Sequence, residues 1–258
     1  MNMIIKDEFY LLNNIPHVLR ARGFRLYLSN NKRLLDLWLC GGAAILGHTP
    51  VNQLRELKNT ASRGLYAPYP HFTENRLIKA LIKLFPNHVF RLYAAPPNEL
   101  KTAKLWRPYA DPAAPFEAND TSLFIPVLPG IQTWRGGLPF GLCIIAAQSE
   151  EALSNLPPSD RLSPVLLSAA ARGIHDILAA PQRGKPHFPK TAKALKTSVW
   201  LRRGIYLTLK ETPSETEWET FFNKFLEAGF LLPPTPFYPL ILPGEMSDGE
   251  DSKLASVL

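Results

Sequence analysis

Near the amino terminus the chain reads Gly23-Phe24-Arg25-Leu26-Tyr27-Leu28, Ser29-Asn30-Asn31-Lys32, Arg33-Leu34-Leu35-Asp36-Leu37 and then, past a glycine-rich apolar run, Ile45-Leu46-Gly47-His48-Thr49-Pro50. Two strand-like runs flank an asparagine-rich turn, a pattern that predicts a β-hairpin. Asp36 closes the second run, where a carboxylate caps backbone N–H groups. His48 stands alone between a glycine and a turn, which favours a hydrogen-bonded structural residue over a catalyst.

Outward from this stretch, residues 3–20 read as a helix or an extended arm. Residues 51–62 read as a helix with Leu54, Leu57 and Ala61 at periodic positions. The helix over 74–84 is stronger, because Leu77, Ile78, Leu81, Ile82 and Phe85 form one stripe before Pro86 stops it. A short strand is predicted over 89–95, a short helix over 99–107, and buried strands over 123–128 and 138–147. An alanine-rich helix follows over 165–179, then a strand over 199–209, a helix over 214–228 and an apolar strand over 230–232. Alternation of strands and helices predicts an α/β or α+β fold.

Composition narrows the class. The chain has 258 residues, 46% hydrophobic and 20% charged, as expected of an ordinary soluble globular protein. Its 25 prolines cluster between Pro96 and Pro139 and between Pro181 and Pro243, where regular structure should thin out. Cys40 and Cys143 lie in apolar runs and read as buried thiols in a reducing compartment, with no disulfide framework and no metal spacing. No apolar run approaches the roughly 18 residues of a membrane span. The amino terminus lacks the basic head and apolar stretch of a signal peptide, so a cytoplasmic location is expected.

Charge is local. The stretch 183–210 holds Arg183, Lys185, Lys190, Lys193, Lys196, Arg202, Arg203 and Lys210 without an acidic residue, and so exceeds the net charge of +7 for the whole chain. It could attract nucleic acid or another anionic surface. A solvated helix face is the favoured reading, because Lys190, Lys193 and Lys196 recur at helical spacing and no nucleic-acid motif accompanies them. Motifs for nucleotide, zinc, calcium and serine-hydrolase sites are absent from the sequence.

A resemblance adds what these patterns do not. The hairpin, Asp36 and Gly47-His48 resemble the amino-terminal part of class III aminotransferases, the group that includes glutamate-1-semialdehyde aminomutase. Pro68 and Glu74 match its next helix start. Gly136-Gly137-Leu138-Pro139-Phe140-Gly141 resembles the segment after its catalytic lysine. Ser163-Pro164 with Ser168-Ala169-Ala170-Ala171 resembles "G-N-P … A-A-A", and residues 222–234 resemble the small-domain strand "L-x-x-G-V-x-L-P-P-S". The resemblance implies an α/β fold: a reduced version of the fold type I (aspartate aminotransferase-like) large domain, residues 59–197, and a small α/β domain built from both chain ends, residues 1–58 and 198–258. It also implies a pyridoxal phosphate (PLP) site and a homodimer or other partner protein. Members of the family are considerably longer than this chain.

The departures from the family pattern decide the expected function. Seven residues before the proline of "G-G-L-P", where the family has its Schiff-base lysine, stands Gln132, whose carboxamide nitrogen is not nucleophilic. The phosphate loop "S-G-T-E-A" falls on Pro96-Pro97-Asn98-Glu99-Leu100, so two N–H donors are lost. Two charge-assisted hydrogen bonds at about 1.5–3 kcal/mol each amount to about 3–6 kcal/mol of cofactor affinity. That is roughly a hundred- to ten-thousand-fold. Neither the "Y-H-G" nor the "D-E-V" motif is found, and Asp111 and Asp120 are poor substitutes. Ser159 stands where the family places a threonine that touches the phosphate from the partner subunit. The expectation is a catalytically inactive interaction or regulatory subunit with no catalytic residue, no metal and no PLP, in which Ser159, Gly136 and Gly137 are vestiges of the cofactor site. The alternatives are an active enzyme with its lysine moved to Lys101 or Lys104, and an anionic-surface or nucleic-acid binder acting through residues 183–210.

Overall fold

The structure, a computed structural model, describes residues 10–100, 106–109, 142–180 and 187–258. In chain order the elements are β1 (Val18–Arg22), β2 (Arg25–Leu28), β3 (Arg33–Asp36), α1 (Val51–Ala61), α2 (Thr73–Leu84), β4 (Val89–Tyr93), β5 (Cys143–Ala147) and α3 (Pro164–Ala179). Then come α4 (Pro189–Ala194), β6 (Trp200–Arg203), β7 (Tyr206–Leu209), α5 (Glu215–Glu227), β8 (Phe230–Leu231), β9 (Leu240–Ile241) and α6 (Asp248–Val257). They fall into two compact units, residues 1–48 with 182–258 and residues 49–181.

In the first unit the predicted hairpin is β2–β3, paired Leu26 to Leu34. Asn31 takes the left-handed backbone that asparagine tolerates, and the Asn30 side chain accepts the Lys32 N–H at 3.1 Å. β1 adds on one side and β8 pairs in parallel with β3 on the other, which joins the two ends of the chain in one sheet. A second sheet runs β6-β7-β9. The single strand expected over 199–209 is instead a hairpin, because Gly204 supplies a left-handed residue midway. On α5, Trp218, Phe222 and Phe225 recur at helical spacing and are buried. Trp218 and Phe225 meet the Trp200 ring edge-on, and Phe225 meets Phe230 in the same way.

Residues 3–20, read as a helix or an arm, give a single turn of 3-10 helix at Tyr10–Asn14 and then β1 over their described part. The closing helix α6 was not anticipated. Its Ser247 accepts the Glu250 N–H while Glu250 returns to the Ser247 N–H, a capping box. Two further contacts hold α6 in place. The Arg25 guanidinium donates to both oxygens of Glu250 at 2.9 and 2.7 Å, and Asp251 accepts the Lys190 and Thr191 N–H groups that open α4.

In the second unit β4 and β5 pair antiparallel from Val89–Ala147 to Tyr93–Cys143. Every residue of β5 is buried. Against them pack α2, through Leu77, Ala80 and Leu81, and α3, whose Ala169, Ala170, Ala171 and Gly173 keep its surface low enough for close helix approach. Burial of each core leucine or isoleucine contributes about 1.5–3 kcal/mol. Ile82, placed in the α2 stripe by its sequence, is instead 48% exposed. Cys143 is buried as expected and its thiol is pushed up to about 12 by that burial, whereas Cys40 is only half-buried.

Candidate functional site

The resemblance to class III aminotransferases directs attention to the carboxyl end of β4, where the phosphate loop would begin. Val89–Tyr93 is apolar except for Arg91, and its strand stops where Ala94-Ala95-Pro96-Pro97 can no longer pair. The Leu100 N–H then bonds the Pro97 carbonyl at 3.0 Å, so the chain turns over Asn98 and Glu99.

Beside this end lies the segment that carries Ser159. The Leu92 N–H donates to Ser159 Oγ at 3.1 Å, the Asp160 N–H donates to the Leu92 carbonyl at 2.8 Å, and the Ala94 N–H donates to an Asp160 carboxylate oxygen at 2.9 Å. One turn earlier the Tyr93 hydroxyl donates to the Pro157 carbonyl. Burial pushes the Tyr93 phenol above its usual range. The Arg91 charge opposes this, and Cys143, Asp160 and Glu99 reinforce it.

These groups do not fit a phosphate. Its cradle would need unoccupied N–H donors and hydroxyls facing outward, and a net positive field. Here Ser159 Oγ accepts from Leu92 of β4, the Ala94 N–H is taken by Asp160, and the group against Ala94 is itself an anion. A second anion at about 4 Å from it is repelled by about 1 kcal/mol per unit charge in water and by about 4 kcal/mol at a protein surface. Asp160 was not singled out in the sequence; its position beside Ser159 was the available signal. Gln132, Gly136 and Gly137, with Lys101, Lys104, Asp111 and Asp120, lie outside the described residues.

The other sequence candidates form a structural cluster in the first unit. Asp36 is 1% exposed; one carboxylate oxygen accepts the Trp38 and Leu39 N–H groups at 2.8 and 2.9 Å, and the other lies 2.9 Å from His48 Nε2. The capping role read for Asp36 and the hydrogen-bonded role read for His48 are thus one arrangement. It holds Leu39 and Cys40 in left-handed conformations that cost an ordinary residue about 1–2 kcal/mol each. Gly47 completes it: with φ of 93° it lies so near Gly23 that an added Cβ would stand 3.1 Å from the Gly23 carbonyl oxygen.

In the basic stretch, Lys190 Nζ donates to Ser252 Oγ at 2.6 Å, Lys210 Nζ to the Ser198 carbonyl at 2.7 Å and Arg202 Nε to the Gly204 carbonyl at 2.8 Å. These cations are tied to the protein's own acceptors, as a solvated face allows. Arg183 and Lys185 lie outside the described residues. Among the described residues no group of three histidine, cysteine or acidic side chains is placed to hold a metal ion, and no helix is long and apolar enough to cross a membrane.

No family model matches the chain. It is 28% identical over 280 residues to an uncharacterized protein of Treponema pallidum (strain Nichols), covering 90% of this chain and 91% of that one. It is 26% identical over 250 residues to an uncharacterized protein of Borreliella burgdorferi (strain ATCC 35210 / DSM 4680 / CIP 102532 / B31), covering 93% and 89%. Among solved structures, the Plasmodium yoelii ornithine aminotransferase matches with a TM-score of 0.59 at 11% identity, over 99% of this chain and 95% of that one. The Elizabethkingia anophelis acetylornithine aminotransferase gives 0.58 at 13%, over 94% and 92%. A transaminase with PLP bound gives 0.61 at 14%, over 94% and 89%. At such identities the likeness is one of fold: this is a mixed α/β chain with an aminotransferase-like fold.

Proposed function

We propose that the chain is an aminotransferase-fold protein that does not catalyse transamination, carries no PLP, and acts as an interaction or regulatory subunit. The observation that carries this reading is the bonding of Ser159 and Asp160 to β4. The serine that the resemblance assigns to the partner subunit's cofactor phosphate accepts the Leu92 N–H, and the adjoining Asp160 carboxylate takes the Ala94 N–H and sets an anion there. Gln132 at the position of the family lysine, and the two prolines in the phosphate loop, support the same conclusion from the sequence. Within this reading the unit formed by both chain ends corresponds to the small domain and residues 49–181 to a reduced large domain. The two cysteine thiols, Cys40 and Cys143, support a reducing compartment such as the cytoplasm.

Incubation with PLP, followed by absorbance spectroscopy and borohydride reduction, tests the proposal. Neither an aldimine band nor a covalent adduct is expected. A borohydride-stable adduct on one lysine, Lys101 or Lys104 included, overturns it and returns the chain to the enzymes.

A further inference from the structure

The outer faces of α2 and α3 enclose an open groove of about 410 Å³ lined by Arg76, Lys79, Ile82, Lys83 and His175. The sequence of α2 explains how it forms. Leu77, Ala80 and Leu81 face the core, which turns Arg76, Lys79 and Lys83, spaced three and four residues apart, to the opposite side. Ile82, which the core does not take, is left 48% exposed beside them.

Each nearby acidic group already has a partner, Asp176 outside the groove and Glu56 at the groove's own Arg76. Asp176 accepts from Arg172 Nε at 2.9 Å and from Asn52 Nδ2 at 3.1 Å, and Glu56 lies 3.7 Å from Arg76. Among the described residues Lys79 and Lys83 have no carboxylate partner. The field at the groove is accordingly positive. His175 is held below its usual range first by burial and then by Lys83, Arg172 and Arg76, with Asp176 alone opposing.

We propose that this groove docks an acidic segment of a partner protein, with an apolar side chain of that segment seated on Ile82 between its carboxylates. The inference rests on the reading of the chain as an interaction subunit and names the chemistry of its partner. Two features favour a peptide. From Arg76 to Lys83 the cations span about 10 Å along the helix, longer than a single phosphate and equal to about three residues of extended chain. The contact between them is an aliphatic side chain and lysine stems, and apart from the His175 imidazole the groove has no aromatic face on which unpaired bases stack.

The test uses the full chain and a fluorescein-labelled peptide, Glu-Glu-Leu-Glu-Glu-Leu-Glu-Glu, read by anisotropy. Its glutamine counterpart and a single-stranded oligonucleotide serve as competitors. The acidic peptide is expected to bind, more weakly as salt rises. Lys79→Glu with Lys83→Glu should lower affinity by about tenfold or more, and Ile82→Ser by about threefold. Lys193→Glu with Lys196→Glu, on the other basic stretch, should leave it unchanged. Unaltered melting of each variant separates loss of the groove from loss of fold. No binding by the native chain, equal binding of the glutamine peptide, tighter binding of the oligonucleotide, or indifference to the Lys79 and Lys83 reversals overturns the assignment. Failure here without a PLP adduct removes the groove alone, whereas an adduct with peptide binding intact removes the non-catalytic reading alone.

Discussion

Replacement of Asp160 by alanine probes the reasoning at its narrowest point. The carboxylate accepts one hydrogen bond from the Ala94 N–H at 2.9 Å, while the Asp160 N–H keeps its bond to the Leu92 carbonyl and Ser159 Oγ keeps the Leu92 N–H. One charge-assisted bond is therefore lost, about 1.5–3 kcal/mol in general. Ala94 is exposed, so water can replace the acceptor and the lower end applies. Urea unfolding at pH 7 should show a loss of about 1–1.5 kcal/mol, and Asp160→Asn, which keeps an acceptor, should lose less than half of that. The variant also removes the anion that disfavours a phosphate at the end of β4. Melting in about 50 mM phosphate against chloride of equal ionic strength reads this directly, because a ligand of the folded state raises stability by RT ln(1 + [L]/Kd). The native chain should melt identically in the two salts, and Asp160→Ala should gain at most a degree or two in phosphate, since the two loop prolines still lack N–H donors. Clear stabilisation of the native chain by phosphate, lost in Asp160→Ala, would refute the argument, because it would make Asp160 part of an anion site rather than its obstruction.

Three further outcomes follow from the first unit. Burial pushes the Glu250 carboxyl up, but hydrogen bonds from Arg25 and from the Ser247 N–H and hydroxyl, with the Arg25 charge, outweigh it and hold the group at about 2, against the usual 4.5. An acid lowered on folding contributes stability that is complete above its unfolded value and is lost as pH falls through the folded one, so Glu250→Gln should cost about 2–3 kcal/mol at pH 7 and almost nothing near pH 2, measured by denaturant unfolding across that range. Asp36→Ala leaves the Trp38 and Leu39 N–H groups and His48 without their acceptor and should cost about 3–5 kcal/mol; a melting temperature unchanged from the native chain would contradict the role given to this cluster. Gly47→Ala meets both a left-handed backbone and the Gly23 carbonyl and should cost about 2–3 kcal/mol, against less than about 0.5 kcal/mol for Gly249→Ala, whose added Cβ meets nothing within 4 Å.

The sequence disclosed those parts of the fold in which a local signal and the tertiary outcome coincide. The Asn31 turn, the α2 stripe of Leu77 and Leu81 and the Trp218, Phe222 and Phe225 face of α5 each bury what their spacing groups together. Where the two diverge, the reading fell short. Residues 199–209 are apolar enough for one strand, and only the conformation of Gly204 divides them. On α6 the buried residues are Asp251, Leu254 and Val257, too weak a stripe to stand out, and Ser247 with Glu250 was the cue. Ile82 belongs to the α2 stripe by periodicity, but the core closes over its neighbours first. In the candidate site, Ser159 could be named from the resemblance. Its engagement could not, because that depends on Leu92 lying beside it from 67 residues away in sequence, with Ala94 beside Asp160 from 66 residues away.

That engagement also answers a structural need. A strand with one paired side presents a row of N–H and C=O groups that can recruit another chain. β4 pairs with β5 on one side, and on the other its Leu92 N–H, Leu92 carbonyl and Ala94 N–H are taken by Ser159 and Asp160. Among the described residues a side-chain hydroxyl and a carboxylate, with the Asp160 main-chain N–H, thus occupy three groups of this edge. Both side chains are short and polar, so they can satisfy these groups without extending the sheet. A carboxylate committed in this way keeps other anions off. Occupation of this edge and, within the proposed function, the anion that disfavours a phosphate at its end therefore rest on the same residue, Asp160. For that reason restoring a lysine alone, by Gln132→Lys, should leave the chain without a borohydride-stable PLP adduct.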